Sequence, residues 1–134
     1  MADDPNQFEW AESLPADCPP ADAERPNNRV FYRLVNRIPA EESDFDSFRK
    51  RFPHQPLKYG ACIERACSLF NTYPQCDQRR KISHHRTKKI ARIVLPPESG
   101  LILKTRKQRG HHSWWRAKGF DPVQHCQEAE PPPA

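Results

Sequence analysis

The chain has 134 residues, 36% of them hydrophobic, with 15 Pro, 4 Gly and a formal net charge of +5. That length holds one modest core at most. No run approaches the ~20 apolar residues of a membrane helix. The acidic N-terminus carries no apolar leader segment, so the expectation is a cytoplasmic protein without membrane contact.

The charge is unevenly spread. Residues 1–28 hold seven acids against Arg25, whereas residues 79–118 hold 13 Lys and Arg against Glu98. A basic body of this kind attracts polyanions, or its own acidic arm. Within 1–28, Pro5, Pro15, Pro19, Pro20 and Pro26 interrupt every helix. The segment therefore reads as an acidic, Pro-rich disordered arm. Phe8 and Trp10 give it the alternative of docking on a partner or on the protein itself.

From residue 29 the periodicity changes. RVFYRLVN, Arg29–Asn36, alternates as a strand with both faces largely apolar, which predicts a central position. Arg33 within it must pair or reach a cleft. Pro39, an acidic first turn (Glu41, Glu42, Asp44) and a basic last turn (Arg49, Lys50, Arg51) predict a helix ending before Pro53, with Phe45, Phe48 and Phe52 on one stripe. ACSLF, Ala66–Phe70, reads as a buried strand. Asn71, Thr72 and Pro74 start a surface helix over about Tyr73–Ile82. IARIVL, Ile90–Leu95, and LILKT, Leu101–Thr105, are further strands that can pair as neighbours across Ser99-Gly100. Residues 127–134 read as a disordered tail.

The stretch Leu101–Val123 concentrates two His, two Trp and six cations in 23 positions. If HHSWW is extended, His111, Ser113 and Trp115 share one face, and His112 and Trp114 the other. One indole is then core and the other lies near the surface, with Trp115 the expected buried one. FYRLVNRIPAEESDF, CSLF, KIARIVLP and HHSWW ahead of FDP, over roughly residues 30–123, resemble a family of short bacterial proteins. That family has a YRLV strand, an S-L/V-F segment and an HHxxW block. The resemblance implies the ordering and boundaries of the elements and nothing about mechanism.

Metal and disulfide chemistry find little support. Cys62, Cys67, Cys76, His84 and His85 run C-x4-C-x8-C-x7-H-H, without the paired C-x2-C knuckles of a zinc site. Five cysteines is an odd number. The expectation is buried reduced thiols at Cys62, Cys67 and Cys76, no metal and no cofactor.

The sequence thus predicts an α+β domain over 29–126, with a small mixed or antiparallel sheet of three to five strands and two main helices. The leading function is a small basic binding module for nucleic acid or an acidic protein surface. Its expected ligand-binding residues are Arg106, Lys107, Arg109, His111, His112, Trp114 and Arg116. Arg79, Arg80, Lys81, Arg86, Lys88 and Lys89 form a second cationic cluster, and Lys104 and Lys118 join the first. Trp114, Trp115 and Tyr73 are the candidates for base stacking. The alternative is a compact enzyme or toxin of ADP-ribosyltransferase-like type, with a cleft around Arg33, Ser68 and His111.

Overall fold

The computed structural model describes residues 7–106 and 110–132, with the backbone alone for Ser83 and Arg106. Six strands form one antiparallel sheet: β1 Arg29–Val35, β2 Cys67–Phe70, β3 Lys89–Leu95, β4 Gly100–Arg106, β5 His111–Arg116 and β6 Cys126–Glu128. The order is β4-β5-β2-β1-β3-β6. The fold is α+β with more strands than the three to five expected. β6 is the addition; its CQE carries no apolar alternation to announce it.

β1 is central, as its two apolar faces require. Phe31, Leu69, Ile93, Leu95, Ile102 and Trp114 fill the first face and are covered by Phe45 and Phe120. The second face carries two separate apolar patches. Leu101, Trp115 and Ala66 form one; Phe70, Cys76 and Ile90 form the other. β3 and β4 are not neighbours, because β1, β2 and β5 lie between them. The Pro96–Ser99 turn and Gly100, at φ +130°, redirect the chain across the sheet. A Cβ at Gly100 would collide with the Trp115 carbonyl.

The helices are shorter than the pattern implies. The expected helix from Pro39 is a 3-10 turn over Glu42–Phe45, followed by α1 Phe48–Arg51. Asp44 is buried, and its carboxylate accepts from the Asn36 amide (2.8 Å) and the Glu41 amide (2.9 Å). The Glu41 bond is half of a capping box that starts a helix, but Arg33 (2.9 Å) and Arg51 (3.0 Å) take the Asp44 carbonyl that a continuing helix would need. Ser47 then caps α1 while Glu12 accepts from its amide and hydroxyl at 2.9 and 2.6 Å. The break turns Phe45 inward and leaves Phe48 and Phe52 outside at 37% and 45% exposure. After the single-turn α2, Ala61–Glu64, comes α3, Tyr73–Arg80, which has the expected start: Thr72 and Gln75 form a capping box and Pro74 sits in the first turn.

The structure differs from a disordered arm over 7–28. Ala11 donates to the Arg116 carbonyl (2.9 Å), Lys118 to the Glu9 carbonyl (2.8 Å), and Glu24 and Ile102 exchange two backbone bonds (2.9 and 2.8 Å). Phe8, Trp10, Leu14 and Cys18 pack on the Trp115 patch, and Ala23 is fully buried. The prolines bar a helix but not this extended docking; Pro19 and Pro26 are themselves buried. Cys18 and Cys62 form a disulfide, which corrects the expected reduced thiol at Cys62; the odd count left one such pair compatible with three free thiols. Cys67 and Cys76 are the expected buried free thiols, and burial pushes the Cys76 thiol up to about 12.

Glu64 on α2 ties down the loop before it. Its buried carboxylate accepts from the amides of Lys58 (2.6 Å) and Tyr59 (2.8 Å) and pairs with Arg49. Burial by itself would raise its pKa, but the two amides and the Arg49 guanidinium outweigh burial and hold it below the usual carboxylate value. A depressed folded-state pKa contributes stability above the unfolded value, about 4.3, and loses it as pH falls through the folded one. The fall in melting temperature between about pH 5 and pH 2 should therefore be shallower in Glu64→Gln than in the parent, which melts over an acid series will show.

Candidate functional site

The polar groups of greatest chemical interest lie between the two apolar patches of the second face. β2 and β5 pair with Ser68 opposite Ser113 and Phe70 opposite His111. Ser68 and His111 are thus diagonal neighbours on one face, and Ser68 Oγ lies 3.0 Å from His111 Nε2. β4 shifts register between Lys104 and Arg106, so that Arg106 pairs with His111 and Thr105 is the extra residue. Thr105 Oγ1 sits 2.8 Å from His111 Nδ1 and 3.0 Å from Ser113 Oγ. The imidazole is held from both nitrogens, and the Phe70 ring meets it edge-on at 5.6 Å. Ser68 is exposed and Ser113 buried, so the row runs from solvent into the fold.

Arg33 does not share a cleft with these side chains. It alternates with Phe31 and Val35 onto the first face, where it is buried. Its guanidinium donates to the carbonyls of Asp44 (2.9 Å), Ser68 (2.7 Å) and Asp46 (3.3 Å). From behind the sheet it fixes the Ser68 backbone and fastens the 44–46 turn. Burial lowers its pKa from the ordinary guanidinium value.

Several expected ligand-binding residues prove to be core. Trp114 and Trp115 do point to opposite faces, yet both have 0% exposure. Each indole N–H has a carbonyl partner: Trp114 donates to the buried Ser99 O (3.1 Å) and Trp115 to Cys62 O (3.0 Å). The expectation of one surface indole fails because residues 7–28 and α2 cover the second face. Arg116 is buried and donates to Phe45 O at 3.0 Å, with Glu42 at 3.5 Å. His112 is 4% exposed, with Nδ1 at 3.2 Å from Gly110 O and Nε2 at 3.4 Å from Arg29. Burial, then Arg29 and Lys104, pull its pKa down against the Gly110 carbonyl. It lines a cavity of about 320 Å³ together with Asp22, Glu24, Arg29, Asn71 and Lys104. Arg106 contributes backbone alone to this description; Lys107 and Arg109 lie outside the described residues.

The other cationic cluster gathers at one corner. α3 ends on Arg79 and Arg80, the chain turns through Ser83–His85, and Arg86, Lys88 and Lys89 follow. The His84 and His85 rings stack at 4.0 Å between centroids. Burial, then Lys88, His84, Arg79 and Arg51, bring the His85 pKa down to about 4. Burial, Arg51, Arg33 and Arg79 likewise lower Lys88. Asp77 answers part of this charge through Arg80 (2.6 Å) and Lys81 (3.9 Å). The other half of the expected belt is dispersed: Arg116 is buried and Lys104 lines the cavity beside His112.

No group of three His, Cys, Asp or Glu side chains is placed to hold a metal ion among the described residues, and no helix there is long and apolar enough to cross a membrane. No protein family, curated protein or solved structure matches the chain, so the resemblance in the strand and HHxxW motifs has no counterpart in these comparisons.

Proposed function

We propose that the chain is a small basic binding module that holds the phosphate backbone of a nucleic acid at the corner of Arg51, Arg79 and Lys88. The observation that carries this reading is the nearness of Arg51 and Arg79 to both Lys88 and His85, two groups whose pKa values are lowered first by burial and then by these cations. Like charges held together against their own repulsion favour an anion between them. Trp114 and Trp115 lie in the core and are withdrawn from base stacking, which leaves phosphate contact, largely independent of sequence, as the main term. The Cys18–Cys62 disulfide favours an oxidising compartment as the place of action over the cytoplasm expected from sequence.

A single-stranded oligonucleotide titrated at rising salt should show log-linear weakening. Replacing Arg79 and Lys88 together by Ala should reduce that slope by about 1.4 while leaving the melting temperature near the parent's. Binding of polyglutamate but not of the oligonucleotide would point instead to an acidic protein surface. An unchanged slope would place the contact elsewhere.

A further inference from the structure

We infer that Ser68 is a nucleophile, with His111 as its general base, and that the site takes small activated acyl esters on the second face of the sheet. Three features support this. Ser68 is the exposed end of the row, and its Oγ lies 3.0 Å from the imidazole nitrogen that would take its proton. The base is oriented in turn by Thr105, 2.8 Å from the other nitrogen, and Thr105 by the buried Ser113 at 3.0 Å. The nucleophile's backbone is pinned from the opposite face by Arg33, 2.7 Å from the Ser68 carbonyl. A nucleophile, a base and a third group fixing the base is the general logic of serine acyl transfer, with a hydroxyl where a carboxylate more often sits. Thr105 is a positioning residue: it fixes ring orientation and tautomer but supplies no charge.

The row admits one continuous order of donors. The Ser68 hydroxyl donates to Nε2, Nδ1–H donates to Thr105, and the Thr105 hydroxyl donates to Ser113. In the acylation step the Ser68 Oγ–carbonyl carbon bond forms and the bond from that carbon to the leaving oxygen breaks. The serine proton passes to His111 Nε2 and on to the leaving oxygen. Water then attacks the acyl carbon and gives a proton to His111, and Ser68 Oγ departs with that proton. No oxidant, reductant or metal enters the balance.

The test treats the full-length protein with a fluorophosphonate. Here the Oγ–phosphorus bond forms, fluoride leaves and the serine proton goes to His111. Intact mass and peptide mapping should show one adduct per chain, on Ser68, and none in Ser68→Ala, whose exposed site leaves folding intact. His111→Gln keeps a hydrogen-bonding side chain but no base and should label at least about 100-fold more slowly. Thr105→Val should alter the pH profile of labelling without changing the melting temperature, a shift a purely structural hydroxyl would not produce. No adduct on Ser68 in the parent protein, or labelling of His111→Gln at the parental rate, overturns the inference. Because the nucleic-acid corner lies on other residues, this result is independent of the oligonucleotide titration.

Discussion

Replacing Trp114 by Ala is expected to cost about 3–5 kcal/mol, and replacing Trp115 by Ala a similar amount, against a total stability of about 5–15 kcal/mol for a domain of this kind. The two residues are adjacent in sequence and serve different cores. Trp114 packs among Phe31, Ile102 and Phe120 on the first face; Trp115 packs with Leu101, Ala66 and Ala23 on the second. Each truncation leaves a cavity and strips a carbonyl of its indole donor, the buried Ser99 O in one case and the partly buried Cys62 O in the other. Denaturant melts of the two single variants give the comparison. A loss below about 1 kcal/mol for Trp115→Ala, the range of an ordinary surface change, would mean that residues 7–28 do not cover that face in solution.

Breaking the Cys18–Cys62 link is the second large effect. It joins residues 44 positions apart. Loop-closure entropy for such a span amounts to roughly 4 kcal/mol at 25 °C. For a chain of this size the melting temperature should fall by roughly 10–20 °C on reduction. The loss is also directional. Cys18 anchors the segment that covers Leu101 and Trp115, so a protease should cut reduced protein first between residues 7 and 28. Cys18→Ser should reproduce both effects and abolish the response to reductant. Equal melting temperatures with and without reductant would show that packing alone holds the arm.

How far the sequence exposed this architecture depended on whether the signal was local. RVFYRLV and KIARIVL alternate within a few residues and were legible as β1 and β3; Thr72, Pro74 and Gln75 marked the start of α3. The arm was not legible, because its apolar residues carry no period of their own. Phe8, Trp10, Leu14 and Ala23 match Leu101 and Trp115, far away in the chain. Arg33 was correctly singled out as needing partners, but those partners are backbone carbonyls, which no side-chain pattern reveals. Ser68 and His111 are 43 residues apart, and only the β2–β5 register makes them neighbours. The focal block was chosen for its dense aromatic and cationic residues. Burial claims both indoles and Arg116, and His111 is left as the part of it beside exposed chemistry.

Short segments cover part of the outer sides of β4 and β3. Glu24 exchanges two backbone bonds with Ile102 on the outer side of β4, and β6 lies along the outer side of β3. An uncovered strand border is a template for pairing with another chain. Each contact therefore shortens the strand border left open to a second copy. Removing either one would lengthen that open border, and a second copy supplying the same segment in trans would give a strand-swapped dimer or, where the exchange does not close, a fibre.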